Sequence, residues 1–178
     1  MVFLDSRDVF AREPYSAKFT ALQSGQQFAA ANVHVVYGDR ISDRLPEIEA
    51  LADYWQWLEE VYPDTPRLLM GDFNLRPSHT AWATLRDLEA KPAITEGATT
   101  LGTTDDVWSN LYDNIWHSDQ APITDSGIIQ FPKLLPGEHT AVRNSVSDHA
   151  PVWVALGPYR AITTRYDKLK RSYEIIVA

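Results

Sequence analysis

The residues of this chain best suited to chemistry are His34, Asp72 with Asn74, Asp113, and Asp148 with His149, and each stands beside an apolar run. The stretch Arg67-Leu68-Leu69-Met70-Gly71-Asp72-Phe73-Asn74-Leu75 reaches a glycine, then presents a carboxylate and a carboxamide on alternate positions. Residues two apart in an extended chain point to the same side, so Asp72 and Asn74 are expected to project together from the end of a buried strand. One group carries charge and the other donates a hydrogen bond, which suits a hard cation and a phosphate oxygen. Gly, Asp and Asn are also turn formers, so this stretch alone reads equally well as a strand running into a turn. The same double reading holds for His34 as a core histidine, Asp113 as a turn acid and Asp148-His149 as a loop cap. Their shared place at strand ends favours a site, because sites in sheet proteins gather at one edge of the layers.

The chemistry these groups could perform together is phosphodiester hydrolysis. That reaction needs an activated water, a cation to stabilise charge on the phosphorane-like transition state, and help for the leaving oxygen. Carboxylates supply the cation site. A histidine serves as base near neutral pH, above all when a carboxylate orients its other nitrogen. An Asp113–His149 pair would do this, with Asp148 turned toward the metal.

The elements that must position these groups are legible as alternating and periodic apolar patterns. Ala17 to Leu22 alternates like a strand, Ser24-Gly25-Gln26 reads as a hairpin turn, and Phe28 to Val36 continues as a second strand. From Leu45 to Val61, apolar residues at Leu45, Ile48, Leu51, Ala52, Trp55, Leu58 and Val61 fall on one helical face. Ser42 or Asp43 suits its cap, Pro46 its first turn, and Pro63 and Pro66 end it. The strand Leu68 to Met70 follows, then a second helix from Pro77-Ser78 to about Glu89. Residues 91 to 110 and 136 to 147 read as loop. Short strands are expected at Leu111 to Trp116, around Ile128 to Phe131, and at Val152 to Leu156. The fold class is therefore α/β or α+β, built on layered sheets.

A chain of 178 residues suits one domain with a real core. Its 44% apolar and 22% charged residues are those of a soluble globular protein. The net charge of −8 counts against gripping nucleic acid through a broad basic face, but not against an enzyme that gathers carboxylates around a cation. Without cysteine there is no disulfide framework and no thiolate metal site. No basic-then-apolar signal segment is visible at the N-terminus, and the compartment is unknown.

Gly71-Asp72-Phe73-Asn74 and Ser147-Asp148-His149-Ala150-Pro151-Val152 resemble the two C-terminal motifs of the endonuclease/exonuclease/phosphatase superfamily, and Tyr112-Asp113-Asn114-Ile115 is similar to its third acidic motif. Phe10-Ala11-Arg12-Glu13-Pro14, followed by Lys18-Phe19, resembles a segment of the deoxyribonuclease I branch, and Asn32-Val33-His34 the strand carrying that branch's first catalytic histidine. The resemblance covers residues 2 to about 156. It implies a four-layer α/β/β/α sandwich and a divalent-metal-dependent endonuclease, with Mg²⁺ as cofactor and Ca²⁺ or Mn²⁺ as alternatives. It implies His34 and His149 as the acid/base pair, oriented at His149 by Asp113. Asp72 and Asp148 would hold the cation, Asn74 would bind the scissile phosphate, and Arg12 with Tyr15 would contact DNA. The alternatives are a phosphodiesterase or phosphatase acting on inositol phosphates or sphingomyelin, or a binding module.

The resemblance also implies what is missing. Family members carry a principal metal-ligand Glu upstream of the Arg-Glu-Pro segment, and the eleven residues before Arg12 are too few to hold it. The domain is thus expected over residues 1–156 without the family's N-terminal segment, with 157–178 as a tail of helix then strand. Three readings follow. The chain is a piece of a longer enzyme, a short form whose exposed sheet face is covered in a homodimer, or one whose tail stands in for part of the missing half.

Overall fold

The computed structural model describes residues 1–22 and 24–157; the expected tail beyond Gly157 lies outside the described residues. At the centre is β3 (Arg67–Asp72), in which Leu68 and Leu69 are both buried, so that the strand has a core on each face. Strand β1 (Tyr15–Thr20) pairs antiparallel with β2 (Gln27–His34) through a hairpin, and β2 runs parallel to β3. A parallel pair needs a long crossover, which α1 (Leu45–Val61) supplies. Strand β5 (Asp113–His117) returns antiparallel to β3, and the short β4 (Lys91–Pro92) closes the edge, giving the order β1-β2-β3-β5-β4. Strands β6 (Ile123–Ile128) and β7 (Val152–Leu156) form a separate antiparallel pair.

The two faces of the larger sheet divide by strand parity. On one face Ala31, Val33, Leu69 and Trp116 pack against Ile48, Leu51, Trp55 and Leu58 of α1. Each such side chain, fully withdrawn from water, stabilises the fold by roughly 1.5–3 kcal/mol. On the other face Leu68, Met70, Ile115 and Phe28 meet Ile123, Val152, Val154 and Leu156 of β6 and β7. Among the described residues the layers are helix, sheet and sheet, which is the expected mixed α/β sandwich with its outermost layer lacking. The β6–β7 pair does not cover β1, where Tyr15 is 57% and Phe19 47% exposed, and the Phe19 ring stacks on Phe28.

Three expectations are corrected. The helix after Pro77 is a 3-10 turn at Thr80–Trp82 followed by the short α2 (Ala83–Asp87), because the indole of Trp82 reaches back to the Arg76 carbonyl and fixes a turn first. Strand β6 begins five residues earlier than the Ile128–Phe131 run, whose end is a 3-10 turn at Phe131–Leu134 opened by Pro132. The stretch read as loop over 136–147 contains α3 (His139–Ser145).

Candidate active site

The sheet register assembles the site. His34 pairs with Asp72 across β2 and β3, and Asp72 pairs with Asp113 across β3 and β5. Cross-strand partners share a face, so the three side chains form one row on the side opposite α1. His34 Nε2 lies 3.8 Å from Asp72 Oδ2. His149, from the loop entering β7, completes the row, its Nδ1 at 2.8 Å from Asp113 Oδ2 and 3.7 Å from Asp72 Oδ2. A single carboxylate oxygen of Asp72 therefore faces both imidazoles.

Backbone contacts explain how a loop residue is held so closely. Ala150 N–H donates to the Thr99 carbonyl and Leu101 N–H to the Asp148 carbonyl, so residues 99–101 grip His149 from both sides. The fully buried Thr99 hydroxyl accepts from the N–H groups of Tyr112 and Asp113 at 3.1 and 3.0 Å. One threonine thus ties the segment of Asp113 to that of His149. In sequence this Thr99 is one of several in a Thr- and Gly-rich loop, and nothing marks it.

The turn after β3 differs from the expected extended run. The strand ends at Asp72, and Asn74 takes a left-handed backbone with φ of 49°. Its N–H donates to Asp72 Oδ1 at 2.8 Å and its side-chain amide to the Val35 carbonyl at 2.7 Å. Asn74 is buried and shapes the turn, so it does not stand beside Asp72 on the row. The turn-forming reading holds for Asn74, while Asp72 stands on the row. Phe73 is the anchor between them, buried edge-on against Trp82.

Asp148 lies outside the row. Its carboxylate is 3.5 Å from the Arg143 guanidinium and largely exposed. Arg12 reaches the row from the other side, its guanidinium 3.5 Å from the His34 carbonyl. Tyr15 is opposite Asn32 in the register, on the row's own face and next along the strand from His34. Two residues with no motif to announce them also hold the site. Buried Glu47 of α1 accepts from the N–H groups of Ala11 and Val36, joining the Arg12 segment to the exit of β2. Buried Arg44 lies beneath the ends of β2 and β3, donating to the Tyr37 and Asn74 carbonyls.

Electrostatics follow from these contacts. The hydrogen bond to Asp113 pushes the His149 pKa above the usual histidine value, against the opposing effect of burial, with smaller help from the charges of Asp113, Asp72 and Asp148. Burial raises Asp72 above the ordinary carboxylate range, and the neighbouring Asp113 charge adds to it; the Asn74 N–H and both histidines pull the other way. Ligand atoms of Asp72, Asp113 and His149 all lie within 4.8 Å of one another, a spacing that could hold a cation.

No protein-family model matches the chain. A deoxyribonuclease of Thioalkalivibrio sp. (strain K90mix) is 48% identical over 164 residues, covering 86% of this chain and 45% of that protein. Deoxyribonuclease-1 of Equus caballus is 28% identical over 158 residues, covering 84% of this chain and 54% of that protein. The chain spans about half the length of these relatives. Its fold is similar to that of an endonuclease/exonuclease/phosphatase family protein from Bacteroides thetaiotaomicron, with a TM-score of 0.62 and 17% identity over 80% of this chain and 55% of that one. Sequence relatives and fold agree: the chain is similar in sequence to deoxyribonucleases, and its fold is that of endonuclease/exonuclease/phosphatase family proteins.

Proposed function

We propose that this chain is an endonuclease that hydrolyses DNA phosphodiester bonds by attack of water on phosphorus. The observation that carries the reading is the row itself: two histidines flanking one carboxylate, with a second carboxylate bonded to one of them. Asp113 holds the His149 ring through Nδ1 and leaves Nε2 to take a proton from the attacking water, and its charge stabilises the imidazolium that results. His34, exposed at the other end, gives a proton to the leaving oxygen as the P–O bond breaks. Asp72 presents one carboxylate oxygen to both rings.

The donor set fits a hard divalent cation. Asp72 has one oxygen bonded to Asn74 N–H and one facing the row, and burial beside Asp113 leaves it with charge that a cation would relieve. Mg²⁺ keeps several waters and needs only one or two carboxylates, so Asp72 with Asp113 suffices to hold it weakly; Ca²⁺ and Mn²⁺ are the alternatives. Asp148 would join by leaving Arg143. Such a cation supplies neutralisation of the charge that develops on the phosphate oxygens.

DNA as substrate is supported by the names of both sequence relatives and by the placement of Arg12 and Tyr15 beside His34. In the same reading, a second copy covers the exposed β1 face, and sedimentation velocity at rising concentration reports it. The test is nicking of supercoiled plasmid with Mg²⁺. Asp72→Ala and His149→Ala are each expected to slow it by roughly 10²-fold or more. Phosphate release from an inositol phosphate without nicking would replace the reading with a phosphatase, and neither activity would leave a binding module.

A further inference from the structure

Three segments adjoin the row at the ends of its strands: the loop after His34, the turn after Asp72, and the residue before Asp113. Arg44 touches all three. Its Nε donates to the Tyr37 carbonyl at 2.6 Å, and its Nη1 donates to the Asn74 carbonyl and lies 3.3 Å from the Tyr112 hydroxyl. The guanidinium lies over the Tyr37 ring at 4.2 Å and near the Tyr112 ring at 5.6 Å. It is only 5% exposed.

A buried cation costs several kcal/mol unless its donors are met, and here Nε and Nη1 find two carbonyls and a phenol. The fork geometry of arginine lets one residue reach separate acceptors at fixed angles, which the single ammonium of lysine does not reproduce. From this arrangement, and resting on the nuclease reading above, we infer that Arg44 is a positioning residue for the reaction. It acts through Asn74. Anchoring the Asn74 carbonyl, together with the amide bond to Val35, holds that residue in its left-handed conformation, which a non-glycine residue adopts at a cost. In that conformation the Asn74 N–H takes up Asp72 Oδ1, and Oδ2 is left facing His34 and His149. Arg44 thereby selects which carboxylate oxygen the row sees. It also fixes Tyr112, whose carbonyl accepts from Phe73 N–H and whose neighbour is Asp113.

The test compares wild type, Arg44→Lys and Arg44→Ala by two readouts. In the cation-free protein, amide hydrogen exchange at Asn74 is expected to speed up about tenfold or more in Arg44→Lys, while Leu69 inside β3 keeps its protection. In oligonucleotide hydrolysis with Mg²⁺, Arg44→Lys is expected to lose roughly 10- to 100-fold in kcat with KM within about twofold, the effect of a small misplacement of reacting groups. Millimolar methylguanidinium is expected to restore part of the rate to Arg44→Ala. Unchanged Asn74 exchange and unchanged kcat in Arg44→Lys overturn the inference. Loss of protection at Leu69 as well overturns it in favour of a general scaffold role. An inactive wild type that still shows the selective Asn74 effect upholds the positioning geometry and rejects the nuclease reading instead.

Discussion

Asp113 and Asp72 are both half-covered acids of one row, yet their environments act on protons in different ways. Asp113 is bonded to His149, and that bond raises the imidazole above its ordinary value of 6.5. A base whose folded-state pKa is raised contributes stability that is fully present below 6.5 and lost as pH rises through the folded value. NMR titration of cation-free protein should therefore place the His149 midpoint above 6.5, and Asp113→Asn should move it downward, because burial is then less opposed. The same substitution should slow nicking roughly 10²-fold or more, since the ring loses its orienting charge. Asp72 shows the opposite consequence. Burial and the Asp113 charge disfavour its ionised form, so the cost is absent below about pH 3.8 and grows as pH rises through the raised folded value. Asp72→Asn keeps an oxygen for the Asn74 N–H and removes that cost. In cation-free buffer at neutral pH its Tm should rise, while activity is lost. Added Mg²⁺ should raise the Tm of wild type and not of the variant. A lower Tm for Asp72→Asn would show that Asp72 serves stability first.

At the scale of elements, the junction of β2 and β3 sets the row, and Gly71 is what permits it. Its φ is 145°, and a Cβ there would lie 1.9 Å from the Val33 carbonyl oxygen, inside any tolerable contact. Gly71→Ala must push the strands apart beside Asp72, and should cost about 3 kcal/mol or more in urea unfolding. A loss under 1 kcal/mol would mean that the strands part easily. This junction was partly legible. The apolar run into Gly-Asp gave β3, the helical spacing of the apolar residues from Leu45 to Val61 gave α1, and the carboxylates and histidines at strand ends pointed to the row. What escaped was non-local. Helix α3 buries only His139 and Val142, too few positions to set a helical stripe. Asn74 left the strand because its contacts with Asp72, Val35 and Arg44 outweigh the alternation of the run. Thr99, Glu47 and Arg44 act through bonds to backbone groups 7 to 36 residues away, and such bonds leave no periodic trace.

The whole molecule carries 24 acids against 16 basic residues, and this bears on how it can engage a polyanion. No helix among the described residues is long and apolar enough to cross a membrane, and β1 leaves apolar side chains exposed, Tyr15 near the row and Phe19 toward the strand's far end. Among the described residues Arg12 is held toward the His34 carbonyl, whereas Arg143 faces Asp148 and Arg44 is buried beneath. A protein that displaces Z counterions loses affinity with a slope near −0.9Z in log salt. With one or two phosphates met by cations, the slope of log kcat/KM for duplex DNA against log salt should be about −2 or shallower at fixed Mg²⁺. Arg12→Ala should flatten it by about 1 and weaken cleavage of all sequences alike, as a backbone contact does. Its kcat at saturating DNA should stay within about threefold, because Arg12 lies beside the row and not in it. A slope near −5 would reveal a broad basic surface that the described residues do not form, and an unchanged slope in Arg12→Ala would remove that residue from the DNA contact.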